Sequence, residues 1–123
     1  MVGVLIVDDN PQIRRLLRAE LNSDEETQVI GEAEDGLQGF QLSQALRPDV
    51  ILMDVSMARL DGIETTRRLR SLLPQTVIIG MSCHTRSMVE QALLSAGADA
   101  FLPKETLPDD LLPSIKKALH RRS

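Results

Sequence analysis

The chain has 123 residues, of which 42% are hydrophobic and 26% charged, and its formal net charge is -4. This length suits one domain, and the apolar content argues against a disordered chain. The negative charge argues against a nucleic-acid-binding surface, because such surfaces neutralise phosphates with Lys and Arg. The sequence has one cysteine, no long apolar stretch and no signal-peptide pattern, which predicts a cytoplasmic protein that does not enter a membrane.

Short apolar runs alternate with segments whose apolar residues recur at helical spacing. The predicted strands are Val2–Val7, Gln28–Ala33, Val50–Met53, Thr76–Met81 and Ala100–Leu102. The predicted helices follow these strands in turn, and their apolar faces include Leu16, Leu37, Leu46, Met88 and Leu111. Five strand–helix units with short links predict a parallel sheet with helices on both faces.

Helix boundaries are marked by residues with known terminal preferences. Asn10-Pro11 predicts an N-cap followed by proline in the first helical position. Gly97 predicts the end of the fourth helix, since glycine adopts the left-handed conformation that often follows a helix. Pro113 is compatible with the last helix only within its first turn.

Three aspartates follow two of the predicted strands. Asp8 and Asp9 come directly after the first strand, and Asp54 follows the third. The carboxyl ends of parallel strands meet at one edge of a sheet, where open α/β sheets bind ligands. Three acids placed together repel one another and need a cation or a raised pKa. An all-oxygen site with few protein ligands is typical of Mg²⁺.

Together with residues further along, these acids resemble the receiver domain of two-component response regulators. The resemblance covers Val2 to about Leu119. It rests on Asp8-Asp9, Asp54, the loop from Met57 to Gly62, Ser82 after the fourth strand and Lys104 after the fifth, in that order. It implies one receiver domain over residues 1–123, with a flavodoxin-like parallel sheet of strand order 2-1-3-4-5 and helices on both faces.

The resemblance also implies a role for each site residue. Asp54 matches the phosphoacceptor, a carboxylate nucleophile that forms an aspartyl phosphate. Mg²⁺ or Mn²⁺ is expected on Asp8, Asp9, Asp54 and the backbone carbonyl of Ser56. Lys104 and Ser82 match the groups that contact the phosphoryl oxygens, and Phe101 matches an aromatic switch residue. The implied partner is a sensor histidine kinase, and the chain itself catalyses only its own phosphorylation and slow dephosphorylation.

Several positions depart from the family pattern or remain open. Ala58 stands where a proline is usual, so the loop after Asp54 could be looser. Glu105 follows Lys104 where many receivers have proline, and a trans bond is the default there. His84 lies either near the phosphoryl group or in an exposed loop. Phe101 is either a rotamer switch or a simple core residue.

The segment from Gly97 to Glu105, with Ser82-Cys83-His84, looks most like the NarL/FixJ branch. That branch implies a C-terminal LuxR-type helix-turn-helix output domain and dimerisation on phosphorylation. Residues 1–123 hold no such domain, which favours a receiver cut from a longer regulator over a stand-alone one. DNA contact would then belong to the output domain and not to this one.

Three alternatives compete with this interpretation. A degenerate receiver would act through partner binding without phosphorylation, and Ala58 is its only support. A flavin-binding protein would need aromatic residues to sandwich the flavin ring, but the chain has no Trp or Tyr. An aspartate-nucleophile phosphatase would need an acid two residues after the first, where this chain has Asn10.

Overall fold

The computed structural model describes residues 1–55, 61–83 and 87–122, and the side chains of Asp61 and Ser87 are not described. One parallel sheet has the strand order β2-β1-β3-β4-β5, which confirms the predicted fold class. The strands are β1 (Val2–Val7), β2 (Thr27–Ala33), β3 (Val50–Asp54), β4 (Val77–Ser82) and β5 (Ala100–Pro103). The helices are α1 (Pro11–Asn22), α2 (Gly36–Leu46), α3 (Asp61–Leu72), α4 (Ser87–Ala96) and α5 (Leu111–Arg122), with a short 3-10 turn at Lys104–Thr106.

The residues predicted to begin and end helices do so in the structure. The Asn10 side chain accepts hydrogen bonds from the backbone N–H groups of Gln12 at 2.8 Å and Ile13 at 3.3 Å, so Asn10 caps α1. Gly97 follows α4 with a φ of 114°, a conformation that costs glycine little. Pro113 lies in the first turn of α5, where it removes no helical hydrogen bond.

Two apolar layers cover the two faces of the sheet. Leu17 of α1 and Ile115 of α5 pack with Val4, Ile6 and Leu52 on one face. On the other face, the residues from α3 and α4 meet inward side chains of the same strands, and they include Leu69, Leu93, Leu5, Ile51 and Met53. Successive residues of a strand point to opposite faces, so β1 and β3 supply both layers. The central strands therefore hold the carboxyl edge of the sheet in a fixed geometry.

The prediction that Leu37 of α2 and Met88 of α4 belong to apolar, core-facing surfaces was wrong. Leu37 is 70% exposed and Met88 is 80% exposed, and Leu16 and Leu46 are also partly accessible. Small residues explain the packing of α2. Gly39 lies so close to β1 that an added Cβ would stand 2.8 Å from a methyl group of Val7. Helix α2 therefore approaches the sheet through backbone, with Leu42 packed against the core layer and Leu37 exposed.

Two further expectations about the chain can be compared with the structure. Among the described residues the one cis peptide bond joins Leu107 to Pro108, so Lys104-Glu105 is trans as expected. Strand β2 is an edge strand, also as expected, and begins one residue earlier than predicted. No helix in the described part of the chain has the length and apolar character needed to cross a membrane.

Candidate functional site

The sheet register brings the predicted site residues to one edge. Val7 pairs with Met53, Asp54 pairs with Met81, and Ser82 pairs with Pro103. Asp54 and Ser82 are the last residues of β3 and β4, and Asp8 and Lys104 follow β1 and β5. Each of these strands therefore has a polar side chain at its carboxyl end. Asp8, Asp54, Ser82 and Lys104 accordingly come from four neighbouring strands.

Lys104 joins the two buried acids. Its Nζ lies 2.8 Å from Asp8 Oδ2 and 2.9 Å from Asp54 Oδ1. Both aspartates have no solvent-accessible side-chain surface, and the lysine side chain is 8% exposed. Removing charges from water is costly unless they are paired, so this contact balances part of the buried negative charge. Lys104 is the residue immediately after β5, so the end of this strand brings it to the site.

The electrostatics of the site show in two pKa shifts. Burial raises the pKa of Asp8, and the charge of Asp54 adds to this, although hydrogen bonds from Lys104 and the Asn10 backbone act in the opposite direction. Burial lowers the pKa of Lys104, but its hydrogen bonds to Asp8 and Asp54 outweigh burial and leave the pKa raised. The lysine therefore stays positively charged and forms ion pairs with both buried acids.

The acids are close enough to share a metal ion. One carboxylate oxygen each from Asp8, Asp9 and Asp54 lies within 4.8 Å of the other two. Asp9 is exposed, whereas the other two acids are buried, so the cluster opens towards solvent on the Asp9 side. Three carboxylate oxygens with room for water match the preference of Mg²⁺ for oxygen ligands and retained waters. The residues present therefore fit a divalent cation.

Ser82 and Phe101 lie on β4 and β5, the two strands that follow β3 in the sheet. Ser82 is 1% exposed at the end of β4, next to the strand that carries Asp54. Phe101 is half-buried, pairs with Gly80 across the strands, and packs against the apolar layer that includes Leu93 of α4. Ser82 thus lies at the end of the strand next to the one that carries Asp54, and Phe101 packs against the layer that contains Leu93 of α4.

Three predicted positions lie outside the described residues, namely Ser56, Ala58 and His84. Their expected roles in metal coordination, loop stiffness and contact with the phosphoryl group stay predictions. Cys83, which the sequence placed beside the switch hydroxyl, is exposed and is not part of the packed core.

Two residues near the acids were not assigned a role from sequence. An added Cβ on Gly62 would lie 2.5 Å from the backbone oxygen of Asp54, so α3 begins in direct contact with the end of β3. Arg14 donates a hydrogen bond from Nη1 to the backbone oxygen of Asp8 at 2.7 Å. A cation near the start of a helix is disfavoured by the helix dipole, and this was the available signal that Arg14 has a specific partner.

The fold and this edge define an open α/β protein with a flavodoxin-like sheet and a lysine-bridged acidic site. The family model described as "Response regulator receiver domain" matches residues 4–116. The chain belongs to the response regulator receiver domain family, which confirms the resemblance stated from the sequence.

Relatives of the chain carry this domain in proteins of different kinds. The chain is 42% identical over 109 residues to protein-glutamate methylesterase/protein-glutamine glutaminase 1 of Syntrophus aciditrophicus, covering 87% of the chain and 31% of that protein. It is 38% identical over 120 residues to the nitrate/nitrite response regulator protein NarL of Escherichia coli K12, covering 96% of the chain and 53% of that protein. The chain thus spans about half or less of the length of these relatives.

A solved structure shows the same fold in the LuxR family. The two-component response regulator of the LuxR family from Aurantimonas sp. SI85-9A1 superposes with a TM-score of 0.92 at 27% identity. The match covers 99% of this chain and 87% of that one. The predicted similarity to NarL-type regulators is therefore confirmed, and methylesterases are relatives as well.

Proposed function

We propose that this domain is a phosphorylation-controlled switch in which Asp54 accepts a phosphoryl group. The observation that supports the proposal most directly is the contact of Lys104 Nζ with both Asp8 and Asp54 at the carboxyl edge of the sheet. A buried carboxylate beside a fixed cation and two further acids has the elements that phosphoryl transfer needs, namely positioning and charge neutralisation.

The proposed donor is a phosphohistidine of a sensor histidine kinase. An Asp54 carboxylate oxygen attacks the phosphorus as the bond from phosphorus to the histidine nitrogen breaks, and the imidazole leaves with the electron pair. Mg²⁺, when bound by Asp8, Asp9 and Asp54, offsets negative charge on the phosphoryl oxygens. Lys104 keeps its charge next to Asp54 and can shift its contact from the carboxylate to a phosphoryl oxygen. The same site would hydrolyse the aspartyl phosphate slowly.

The proposed switch couples Ser82 and Phe101 to the surface formed by α4, β5 and α5. Ser82 stands at the end of β4, beside β3, so its hydroxyl can donate to an oxygen of a phosphoryl group on Asp54. A shift of β4 towards the acids would change the space beside Phe101, which lies under α4. We expect the aromatic ring to turn inwards and the partner surface to change.

The proposed output is transcriptional control through a helix-turn-helix domain in a longer protein, where residues 1–123 form the receiver. Support comes from the similarity to NarL, of which the chain covers 53%, and to a LuxR-family regulator. In this proposal the receiver acts in the cytoplasm, dimerises on phosphorylation and makes no contact with DNA. Among the relatives a methylesterase also carries the domain, so binding of promoter DNA by the longer protein is the test of this output.

The acceptor is tested by incubating the chain with acetyl phosphate, with and without Mg²⁺, and measuring intact mass. Wild type should gain one phosphoryl group only when Mg²⁺ is present, and Asp54→Asn should gain none. Asp109→Asn is the matched control, because it removes an exposed aspartate that does not belong to the acidic cluster of Asp8, Asp9 and Asp54. It should be labelled like the wild type.

Two outcomes would argue against the proposal in different ways. Labelling of Asp54→Asn to the wild-type extent would place the acceptor elsewhere. If neither protein is labelled and Mg²⁺ does not bind, the chain is a degenerate receiver that acts by partner binding alone.

A further inference from the structure

Arg14 links the acidic site to the edge of the sheet. It lies in the first turns of α1, directly after the two acids, and its side chain is 19% exposed. Nη1 donates to the backbone oxygen of Asp8 at 2.7 Å, and Nε lies 3.3 Å from Glu32 Oε1. The planar guanidinium therefore contacts the site on one side and β2 on the other, which a lysine ammonium cannot do with the same fork.

The bond to Asp8 holds the peptide group that connects the two acids. The oxygen that Arg14 contacts belongs to the peptide bond between Asp8 and Asp9. Other bonds already hold Asp8, since its N–H donates to Ala33 at 3.0 Å and its Oδ1 accepts from the Asn10 N–H at 2.9 Å. Arg14 thus adds the contact that fixes the plane of the peptide from which the exposed Asp9 projects.

Glu32 offsets the charge that Arg14 brings to the site. It lies on β2 opposite Ile6 of β1 and forms ion pairs with both Arg14 and Arg18. An unpaired cation beside three acids would compete electrostatically with a divalent ion. With Glu32 in place, the guanidinium can act as a hydrogen-bond donor to the backbone while its charge is partly compensated.

We infer that Arg14 is a positioning residue for divalent-cation binding, which orients Asp9 through the Asp8–Asp9 peptide and is itself held by Glu32. This inference rests on the proposed function for the identity of the cation, Mg²⁺. Groups that orient metal ligands typically change metal affinity about 10-fold to 100-fold when they are removed. Arg14 acts through a backbone carbonyl, so the lower end of that range applies.

The sign of the effect separates positioning from simple charge. Removing a cation near the site would by itself strengthen the binding of Mg²⁺. Loss of the hydrogen bond to the Asp8 oxygen leaves the Asp8–Asp9 peptide free to move. Binding of Mg²⁺ must then order this peptide, which costs free energy and weakens binding. Weaker binding in Arg14→Gln is therefore the result that only the positioning role predicts.

The test is a titration of MgCl₂ into the wild type, Arg14→Gln and Arg18→Gln, followed by NMR of backbone amides. Arg14→Gln should raise the Kd for Mg²⁺ about tenfold. Arg18→Gln is the matched control, because Arg18 pairs with the same Glu32 but is more exposed and belongs to a later turn of α1. Its Kd should equal that of the wild type or be slightly lower.

Two further measurements exclude a general loss of structure. In the absence of Mg²⁺, hydrogen exchange of the Asp9 amide should be faster in Arg14→Gln, while the core amides of β1 remain protected. Arg14→Lys keeps one donor and the charge, so its Kd should lie between those of the wild type and Arg14→Gln. The rate of labelling by acetyl phosphate should fall at low Mg²⁺ and recover at saturating Mg²⁺.

A Kd for Arg14→Gln that is equal to or lower than that of the wild type would overturn the inference. So would faster exchange throughout β1, which would show that Arg14 supports the fold as a whole. If the wild type binds Mg²⁺ and is labelled on Asp54 while Arg14→Gln behaves identically, only the inference fails. If the wild type neither binds Mg²⁺ nor is labelled, the proposed function fails with it.

Discussion

The two ends of the sheet are both held by charged residues, but they differ in how the charges are balanced. At the carboxyl end, Lys104 contacts two buried aspartates, and Asp9 adds a third acid at the surface. At the amino end, Asp99 stands between two arginines, with Arg70 at 2.7 Å from Oδ2 and Arg122 at 2.7 Å from Oδ1. At the carboxyl end three acids are grouped with one lysine, whereas at the amino end one acid, Asp99, has two arginine partners.

Backbone carbonyls accept further hydrogen bonds from the two arginines at the amino end. Arg70 Nη1 donates to the backbone oxygen of Thr76 at 2.8 Å, and Nε donates to that of Gly97 at 2.9 Å. Arg70 Nη1 also donates to the backbone oxygen of Pro74 at 3.0 Å, and Arg122 does so at 2.8 Å. The ends of α3, α4 and α5 are thereby tied to the starts of β4 and β5.

This difference indicates which end is built to accept a ligand. The acids of the carboxyl end lie where a cation or a phosphoryl group can change their contacts. The arginines of the amino end bind a carboxylate and backbone carbonyls that belong to the fold itself. A switch needs one region that changes and another that keeps the helices in place, and the sheet separates the two by its length.

The largest expected effect is on the carboxyl end, from Lys104→Met. Removing Lys104 takes one partner out of a buried charge cluster that includes Asp8 and Asp54, so we expect the free energy of unfolding without metal to fall by about 3 kcal/mol. Urea denaturation at neutral pH measures this change. Mg²⁺ should stabilise Lys104→Met more than the wild type, since the ion then supplies the missing positive charge.

Lys117→Met serves as the control, because Lys117 is an exposed lysine on α5. Its free energy of unfolding should be close to that of the wild type. A similar loss of free energy of unfolding in both variants would show that the burial of Lys104 does not determine its contribution to stability.

The next largest effect is expected at the amino end, from Asp99→Ala. This change leaves the Ile78 N–H and the mostly buried Arg70 without their shared acceptor. We expect the free energy of unfolding to fall by about 2 kcal/mol, the cost of unpaired buried polar groups. The Kd for Mg²⁺ and the extent of labelling by acetyl phosphate should not change. Loss of Mg²⁺ binding would contradict the separation between the two ends.

A pair of glycine substitutions sharpens the comparison within one face of the sheet. Gly62→Ala and Gly39→Ala both place a Cβ too close to its neighbours, at 2.5 Å from the Asp54 oxygen and 2.8 Å from Val7 respectively. Each should lower the free energy of unfolding by about 1–2 kcal/mol through overpacking. Only Gly62→Ala should also slow labelling by acetyl phosphate, because it displaces the backbone of the acceptor. Equal labelling rates would contradict this role of Gly62.

The smallest expected effect is on the pH dependence of the free energy of unfolding. Because the pKa of Asp8 is raised from its ordinary 3.8, the folded chain holds this proton more tightly than the unfolded chain does. The contribution of Asp8 to stability without metal should therefore fall as pH rises above about 3.8 towards the folded pKa. Saturating Mg²⁺ should reverse the trend, since it binds the deprotonated form.

Denaturation across this pH range, compared between the wild type and Asp8→Asn, isolates the contribution of Asp8. The same pH slope in both proteins would show that Asp8 does not titrate in this window.

The sequence was sufficient to locate the strand ends that carry Asp8, Asp54 and Lys104, because buried parallel strands are continuous apolar runs and their ends are sharp. The strand order came from the resemblance to receiver domains and not from the apolar runs. It was less informative about helix faces. Leu37 and Met88 have the spacing of core residues, yet they are exposed because α2 packs through Gly39 and because local spacing does not reveal the neighbouring element. The contact of Arg14 with the Asp8 oxygen depends on the conformation of a long side chain, which the spacing of residues in the sequence does not predict.

The separation of the two ends is tested most directly by NMR of the chain with Mg²⁺ and beryllium fluoride, which mimics a phosphoryl group on an aspartate. We expect large amide shift changes at Asp8, Asp54, Ser82 and Lys104, with further changes along β5. The amides of Arg70, Asp99 and Arg122 should move little. No change at Asp54, or changes of equal size at both ends of the sheet, would contradict a carboxyl end that switches while the amino end stays fixed.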